Sequence, residues 1–257
     1  MSNTIRRFGL FGYPLAHSYS KKFFTEKFET ENIDAHYNLY ELKNISEFAA
    51  LTEIPTLGGL NVTIPYKEQV IPLMDELDDT AAKIGAVNVI KFTRKDGKLR
   101  LKGYNSDAIG FENSIKSYLT PQHEKALILG TGGASKAINY TLQKLGIKTT
   151  FVSRTKKPDS FTYNELNAEI MAEYTVIINA SPVGTFPHAN ECPDIPYNYL
   201  TSKHLLYDVV YNPPETVFLC NAKKQGAQGI NGQEMLKGQA EAAWKIWNES
   251  LFMSDTK

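Results

Sequence analysis

Several features that mark specialised classes of protein are scarce or missing in this sequence. Cys192 and Cys220 are the only cysteines among 257 residues, too few for a disulfide framework or a thiolate metal site. The formal net charge is +0, which gives no electrostatic reason to bind nucleic acid or an anionic membrane. No apolar run reaches the roughly 20 residues of a membrane span or the roughly 7–15 residues of a signal-peptide core. We therefore expect a soluble, cytoplasmic protein with no nucleic-acid or membrane partner.

The remaining composition is that of an ordinary globular protein. Hydrophobic residues make up 42% of the chain and charged residues 22%, and the length suits one large domain or two small ones. The five histidines are scattered without the spacing of metal ligands, so no metal site is predicted.

Short β-rich runs alternate with segments of helical period in the first part of the chain. Strands are predicted over residues 7–11, 35–40, 59–62 and 86–92, and helices over residues 20–31, 44–53 and 66–77. The Asp96-Gly97 pair predicts a hairpin turn between residues 92 and 99. Such alternation is typical of a mostly parallel sheet with helices on both faces.

A second alternating block begins after Pro121. Strands are predicted over residues 125–129, 149–152, 174–179 and 205–209, and a helix over residues 135–145, while residues 156–167 could be a helix or a loop. The chain is helical again from residue 232, with an apolar stripe of Leu236, Ala240, Ala243, Trp244, Trp247 and Leu251. The predicted fold is α/β, with two α/β domains flanking a cleft. The first comprises residues 1–106 plus 233–257, and the second comprises residues 107–232.

A glycine-rich turn follows the first strand of the second block. The segment ALILGTGGASKA places Gly130, Gly132 and Gly133 between a strand and a helix. Glycines let the backbone approach a pyrophosphate, whose charge then meets the helix N-terminus. An ordinary strand–helix turn can carry the same glycines, and the spacing departs from G-x-G-x-x-G. The turn indicates a Rossmann-like dinucleotide-binding domain only together with the strand that follows it.

The end of that next strand favours NADP over NAD. An NAD site usually has Asp or Glu there, roughly 20 residues after the first glycine, to hold the ribose 2′-hydroxyl. Here Ser153, Arg154 and Thr155 are followed by Lys156 and Lys157. A guanidinium pairs with a 2′-phosphate through two hydrogen bonds and stacks on adenine. A solvated basic turn is the alternative, and the preceding glycine turn tips the interpretation toward NADP(H).

Motifs along almost the whole chain resemble the shikimate/quinate dehydrogenase family. They are GYPLAHSYS, NVTIPYK at 61–67, GAVNV at 85–89, GYNSDAIG at 103–110, GTGGAS, SRT, NASPVGT at 179–185, YDVVYNPPET at 207–216 and NGQEMLKGQA at 231–240. Each is weak alone, but together, in this order and at compatible spacing, they are specific. The resemblance implies an NADP-dependent oxidoreductase acting on a CH–OH group. It would reduce 3-dehydroshikimate reversibly to shikimate in aromatic amino acid (chorismate) biosynthesis.

The resemblance also implies roles for individual residues. Lys67 and Asp107 would be catalytic, with Lys67 as the acid–base residue. The substrate would be bound by Ser18, Ser20, Thr63, Asn88, Asp107, Tyr211 and Gln239. The cofactor would be bound by Gly130, Thr131, Gly132, Gly133, Ala134, Ser153, Arg154, Thr155, Lys157, Val209 and Gly232, of which the last two would line the nicotinamide pocket. The second arginine that often follows SRT in the family is missing, which leaves Lys156 or Lys157 in its place.

Without the family, several of these residues have simpler explanations. Ser18 or Ser20 could be a helix N-cap, although two hydroxyls at a helix start would also form an anion site. Lys67 could be a surface lysine; at the helix start predicted here, the helix dipole would favour loss of its proton. Asp107 could be an N-cap or a first-turn carboxylate. Gln239 could make a core hydrogen bond, and Tyr211 could simply pack.

Two other functions remain open from the sequence. A quinate-accepting or NAD-using dehydrogenase of the same family is the nearer one. A binding or regulatory module that keeps the fold without turnover is the other, and the presence of both Lys67 and Asp107 argues against it. The partner is expected to be a small-molecule substrate, and the protein a monomer or homodimer.

Overall fold

The computed structural model describes residues 5–15 and 18–252, with only the backbone for residues 250–252. The chain forms two compact units, one of residues 1–106 and 240–257 and the other of residues 107–239. The domain limits derived from the sequence, in which the chain returns to the first domain at residue 233, stay a prediction.

The first unit is built on a six-stranded mixed sheet in the order β2-β1-β3-β5-β6-β4. The strands are β1 (Arg6–Gly12), β2 (Ala35–Glu41), β3 (Leu57–Val62), β4 (Glu76–Leu77), β5 (Val89–Lys95) and β6 (Lys98–Tyr104). β1 is parallel to β2 and β3, whereas β5 is antiparallel to both β3 and β6. The predicted hairpin is confirmed, because Lys95 pairs with Lys98 across the Asp96-Gly97 turn.

The helices of the first unit are α1 (Tyr19–Thr30), α2 (Phe48–Thr52), α3 (Asp79–Ile84) and the carboxyl-terminal part of α8 (Gln233–Phe252). One side of the sheet buries Phe8 and Phe24 against Trp247. The indole nitrogen of Trp247 donates to the Ile90 carbonyl over 3.0 Å. A Cβ atom at Gly59 would lie 2.2 Å from this indole, so only glycine fits there. Ala240, Ala243, Trp244 and Trp247 of the predicted apolar stripe thus pack on the first sheet. Leu236 belongs to the second unit, and Leu251 lies outside the described side chains.

The helix predicted over residues 66–77 is wrong. After Pro65 the chain forms turns, a short 3-10 segment over Ile71–Leu73 and the two-residue strand β4. Pro72 has no amide hydrogen and cannot continue an α-helix through this segment. The amides of Asp75 and Asp78 instead donate to the carbonyls of Leu101 and Gly103 in β6.

The second unit has a six-stranded sheet in the order β12-β11-β10-β7-β8-β9. Its strands are β7 (Lys125–Leu129), β8 (Lys148–Ser153), β9 (Ser160–Thr162), β10 (Val176–Asn179), β11 (Leu205–Asp208) and β12 (Gln228–Ile230), and every pairing is parallel. The central strands β7 and β10 are buried on both faces, as expected when helices cover a parallel sheet. β9 lies within residues 156–167, for which the sequence predicts either a helix or a loop.

Around this sheet lie α4 (Ser106–Ile115), α5 (Gly133–Lys144), α6 (Ala168–Glu173), α7 (Val217–Lys224) and the first part of α8. The chain runs from β7 to β8 on one side of β7 and returns to β10 on the other. In open α/β sheets, ligands bind at the carboxyl ends of the strands where the order reverses in this way. The glycine turn after β7 lies at that point.

Candidate active site

Residues from distant parts of the sequence meet at one edge of the first sheet. Thr63 directly follows β3, and Asn88 directly precedes β5. Because β5 is antiparallel to β3, both residues lie at the carboxyl end of β3. The amide of Val62 donates to the Asn88 carbonyl over 2.8 Å, and the amide of Thr63 donates to the Phe11 carbonyl over 3.0 Å. This edge therefore collects two of the predicted substrate-binding residues.

Ser18 and Ser20 occupy different positions at the start of α1. Ser18 is the N-cap, and its hydroxyl accepts a hydrogen bond from the Lys21 amide over 3.2 Å. Ser20 lies inside the helix, is buried, and has its hydroxyl hydrogen-bonded to Tyr37. Burial raises the pKa of Tyr37, and the bond with Ser20 opposes this change. The capping interpretation is thus confirmed for Ser18, whereas Ser20 is not a cap.

Three asparagines at strand ends form the framework of this edge. Asn61, Asn88 and Asn105 are all buried. Asn61 accepts a hydrogen bond from the Tyr37 hydroxyl over 2.7 Å, and Asn105 donates to the Ala86 carbonyl over 2.9 Å. The side-chain oxygen of Asn88 accepts from the amide of Ser106 over 2.6 Å. The side-chain oxygen of Asn88 therefore holds the start of α4, a role that spacing along the sequence does not indicate.

Lys67 lies on a turn and not at the start of a helix. Its side chain is half-buried, and its carbonyl accepts from the Val87 amide over 2.8 Å. The neighbouring Tyr66 is buried and donates its hydroxyl hydrogen to the Leu42 carbonyl over 2.5 Å. The helix-dipole argument for Lys67 is thus wrong, because the helix that would supply the dipole is absent from the described residues 66–77. The position is nevertheless fixed by its backbone and by its neighbour.

In the second unit, Asp107 and Gln239 are both buried polar residues on helices. Asp107 is in the first turn of α4, where a carboxylate interacts favourably with the helix dipole. The Gln239 side chain donates to the Leu236 carbonyl over 3.0 Å. A Cβ atom at Gly110 would lie 2.7 Å from the backbone nitrogen of Gln239, so glycine lets α4 and α8 pack closely. The predicted first-turn position of Asp107 is confirmed.

The glycine turn has the geometry of an anion-binding helix start. Gly130 has φ +111°, a conformation that L side chains rarely adopt, and Gly132 is the N-cap residue of α5. A Cβ atom at Gly132 would have no described heavy atom within 4 Å. The first turn of α5 contains no acidic residue. Thr131, Gly133 and Ala134 complete the turn, which leaves the positive end of α5 open to a negatively charged group.

The basic segment after β8 lies beside this turn. Lys157 donates from its amine to the Thr131 hydroxyl over 3.1 Å. Lys156 instead forms an ion pair with Glu165 over 2.7 Å, which is the largest cause lowering the pKa of that carboxyl to about 2. Arg154 and Thr155 are exposed at the end of the strand, and the Ser153 hydroxyl donates to the Thr155 carbonyl. Of the two lysines considered from the sequence, Lys157 is thus the one next to the glycine turn.

The two residues predicted to face the nicotinamide follow β11 and β12. Val209 is half-buried, and its amide donates to the Asn179 carbonyl over 2.9 Å. A Cβ atom at Gly232 would lie 2.2 Å from the Val209 carbonyl oxygen, so the structure brings these two residues together. Tyr211, two residues after Val209, is partly exposed, and burial of the rest of its ring raises its pKa.

The described part of the chain has neither a cluster of metal ligands nor a membrane-spanning helix. In residues 5–15 and 18–252, no three His, Cys, Asp or Glu side chains are grouped so that they could hold a metal ion. Within the same part of the chain, no helix is both long and apolar enough to cross a membrane.

The chain is similar to known proteins over nearly its full length. Residues 10–90 match the family model described as the shikimate dehydrogenase substrate binding domain. The shikimate dehydrogenase (NADP(+)) of Methanosphaera stadtmanae is 36% identical, over 93% of this chain and 90% of that protein. The crystal structure of shikimate dehydrogenase from Aquifex aeolicus is 34% identical with a TM-score of 0.82, covering 97% of this chain and 94% of that one. The Thermus thermophilus enzyme in complex with NADP(H) and shikimate is 28% identical with a TM-score of 0.82, covering 95% and 94%.

Proposed function

Because the chain belongs to the shikimate dehydrogenase family, we propose a division of its reaction among the residues described above. The chain is an NADP-dependent oxidoreductase acting on a CH–OH group. It reduces 3-dehydroshikimate reversibly to shikimate, a step of aromatic biosynthesis. The observation that carries this function is the 36% identity over 93% of the chain with an NADP-dependent shikimate dehydrogenase. We further place the enzyme in the cytoplasm, as a monomer or homodimer.

The second unit fits NADP(H) through both its shape and its charge. The open turn of Thr131, Gly132, Gly133 and Ala134 would hold the pyrophosphate at the positive end of α5. Arg154, with Ser153, Thr155 and Lys157, would hold the 2′-phosphate. None of residues 154–158, directly after β8, is a carboxylate that would repel that phosphate. When bound, NADPH supplies the hydride, and the protein orients the reactants and manages the proton.

Hydroxyl and amide groups would bind the substrate. As an N-cap, Ser18 uses its oxygen as an acceptor, so its own hydrogen stays free to donate to the substrate carboxylate. Ser20, in the first turn of α1, would turn its one hydroxyl hydrogen from Tyr37 to the same carboxylate. Thr63, Asn88, Asp107, Tyr211 and Gln239 are proposed for the ring and its hydroxyls. The capping and binding roles of Ser18 are therefore compatible.

Lys67 is proposed as the general acid. In the direction of reduction, its protonated amine donates to the alkoxide that develops as the ketone carbon gains hydride. In the reverse direction, the neutral amine accepts the proton from the substrate hydroxyl. Asp107 binds the neighbouring hydroxyl as a charged acceptor. Rigid backbone at Lys67, held by the Val87 amide, favours an accurately placed proton donor.

A turnover assay tests this function directly. We expect oxidation of NADPH in the presence of 3-dehydroshikimate and much slower oxidation of NADH. In reverse, shikimate should be oxidised with NADP⁺ faster than quinate. Equal rates with NADH would refute the 2′-phosphate site at Arg154. Faster oxidation of quinate would make the protein a quinate dehydrogenase of the same fold, and no turnover with any of these substrates would leave a binding module.

A further inference from the structure

A fully buried carboxylate lies at the end of β11 in the second unit. Asp208 accepts three hydrogen bonds, from the Asn179 side-chain amide over 2.9 Å, the Val210 amide over 3.0 Å and the Thr216 hydroxyl over 2.6 Å. All three donors are neutral. Burial raises the pKa of Asp208 to about 6, although these hydrogen bonds oppose the shift. Burying a carboxyl group costs free energy, so its retention here calls for a use beyond packing.

The carboxylate joins three segments at the carboxyl edge of the sheet. Asn179, its first partner, also accepts from the Ser181 amide over 3.2 Å and donates to the Val183 carbonyl over 3.1 Å, which fixes the loop after β10. Thr216, its third partner, is the N-cap of α7 and accepts from the Leu219 amide. One side chain therefore ties the loop after β10, the turn after β11 and the start of α7.

Val209 lies next to two members of this network, Asn179 and Val210. Its own amide donates to the Asn179 carbonyl, and the next residue, Val210, donates its amide to Asp208. The Val210 carbonyl in turn accepts from the Gly232 amide over 3.2 Å. Val209 and Gly232 are the residues proposed for the nicotinamide, whereas the glycine turn and Arg154 follow β7 and β8 and are proposed for the rest of the cofactor. The hydrogen bonds of Asp208 thus hold the part of the cofactor site that is proposed for the nicotinamide.

We propose that Asp208 is a positioning residue for hydride transfer, which holds the Val209–Tyr211 turn in place for the nicotinamide through the Val210 amide and the Thr216 hydroxyl. The inference rests on the proposed roles of Val209 and Gly232. It predicts that weakening the network impairs use of the nicotinamide half of NADPH and leaves binding of the adenosine half unchanged. A purely structural role would affect both halves or neither.

Thr216→Val tests this proposal, because it removes the hydroxyl and keeps the size of the side chain. We expect kcat/KM for NADPH to fall by between about tenfold and 100-fold, as for a misplacement of roughly 1 Å. The Kd of 2′,5′-ADP, which carries only the adenosine half with its 2′-phosphate, should stay within about twofold of the unsubstituted protein, because no bond of the network reaches the glycine turn. Thr216→Ser should restore most of the activity, since it returns the hydroxyl.

Thr175→Val is the matched control. Thr175 is also buried and donates its hydroxyl hydrogen to the Gln122 carbonyl over 3.2 Å, but it precedes β10 and lies at the opposite edge of the same sheet. Thr175→Val should lose about as much thermal stability as Thr216→Val, whereas its kcat/KM for NADPH should stay unchanged. If Thr216→Val does not fold, Asp208→Asn carries the same expectation, because it keeps the size and removes the acceptor for Thr216.

Three results would overturn the proposal: unchanged NADPH kinetics in folded Thr216→Val, equal losses in NADPH and 2′,5′-ADP binding, or no recovery in Thr216→Ser. Turnover of the unsubstituted protein with NADPH is measured first. Its absence would refute the proposed function separately from the role of Asp208.

Discussion

Arg154 is the residue on which the choice of cofactor should depend. Arg154→Ala removes the paired hydrogen bonds that only a 2′-phosphate can accept, whereas stacking on adenine is lost for both cofactors. The KM for NADPH should therefore rise far more than that for NADH. Loss of charged hydrogen bonds of this kind corresponds to about 1.5–3 kcal/mol. Lys156→Ala is the control, because Lys156 pairs with Glu165 on the surface and should not alter the ratio of the two KM values. Equal weakening of both cofactors in Arg154→Ala would rule out the phosphate contact.

Ser18 has a structural role that must be separated from its proposed binding role. Ser18→Ala removes the N-cap and should destabilise the protein by about 1 kcal/mol. Ser18→Asp keeps a capping oxygen of similar strength but places a negative charge where the substrate carboxylate is proposed to bind. It should therefore retain the melting temperature, raise the KM for 3-dehydroshikimate strongly and leave the KM for NADPH unchanged. An unchanged substrate KM in Ser18→Asp would restrict Ser18 to capping.

At the scale of elements, two histidine turns precede the strands β7 and β11. In each, a threonine amide donates to the Nδ1 atom of the histidine three residues later, from Thr120 to His123 over 3.1 Å and from Thr201 to His204 over 3.0 Å. The Nε2 atom of His123 faces the Lys203 carbonyl at 3.3 Å. A neutral imidazole suits this arrangement, since Nδ1 must accept while Nε2 donates.

Burial, together with the nearby His204, lowers the pKa of His123 below its usual 6.5. The unfolded chain therefore binds a proton at this position at a higher pH than the folded protein does. The stability that neutral His123 contributes is complete above about pH 6.5 and is lost as the pH falls through the lowered pKa. On going from pH 7.5 to pH 5.5, the melting temperature of the unsubstituted protein should fall relative to that of His123→Gln, in which this contribution is missing. His36→Gln, at an exposed position, is the control; a pH dependence that His123→Gln leaves unchanged would contradict this account.

At the scale of elements, local rules predicted much of the fold. The Asp96-Gly97 hairpin, the glycine turn before α5 and the cap at Ser18 each depend on a few neighbouring residues, and the structure contains all three. The segment over residues 66–77 has apolar spacing that suits a helix, but its amides form local turns, and the amide of Asp75 donates to Leu101 in β6. The antiparallel direction of β5 could likewise not be predicted, because strand–helix alternation does not determine which distant strands pair.

In the candidate site, too, some features could be predicted from the sequence, whereas others depend on tertiary structure. Residue type and position pointed to Arg154 and to either Lys156 or Lys157, and the ion pair of Lys156 with Glu165 and the bond of Lys157 to Thr131 separate the two lysines. Asn88 and Asp208 look like ordinary polar residues at strand ends. Their hydrogen bonds to Ser106 and Thr216 depend on tertiary structure and could not be predicted from spacing.

At the scale of the whole molecule, the central claim is an NADP-dependent shikimate dehydrogenase with Lys67 as its general acid. The measurement that tests it most directly is steady-state kinetics of Lys67→Ala with NADPH and 3-dehydroshikimate, beside thermal unfolding of the same protein. Because alkoxide charge appears only in the transition state, kcat and kcat/KM should fall together by at least about 100-fold, with an unchanged melting temperature. A folded Lys67→Ala protein with nearly full activity would contradict the account.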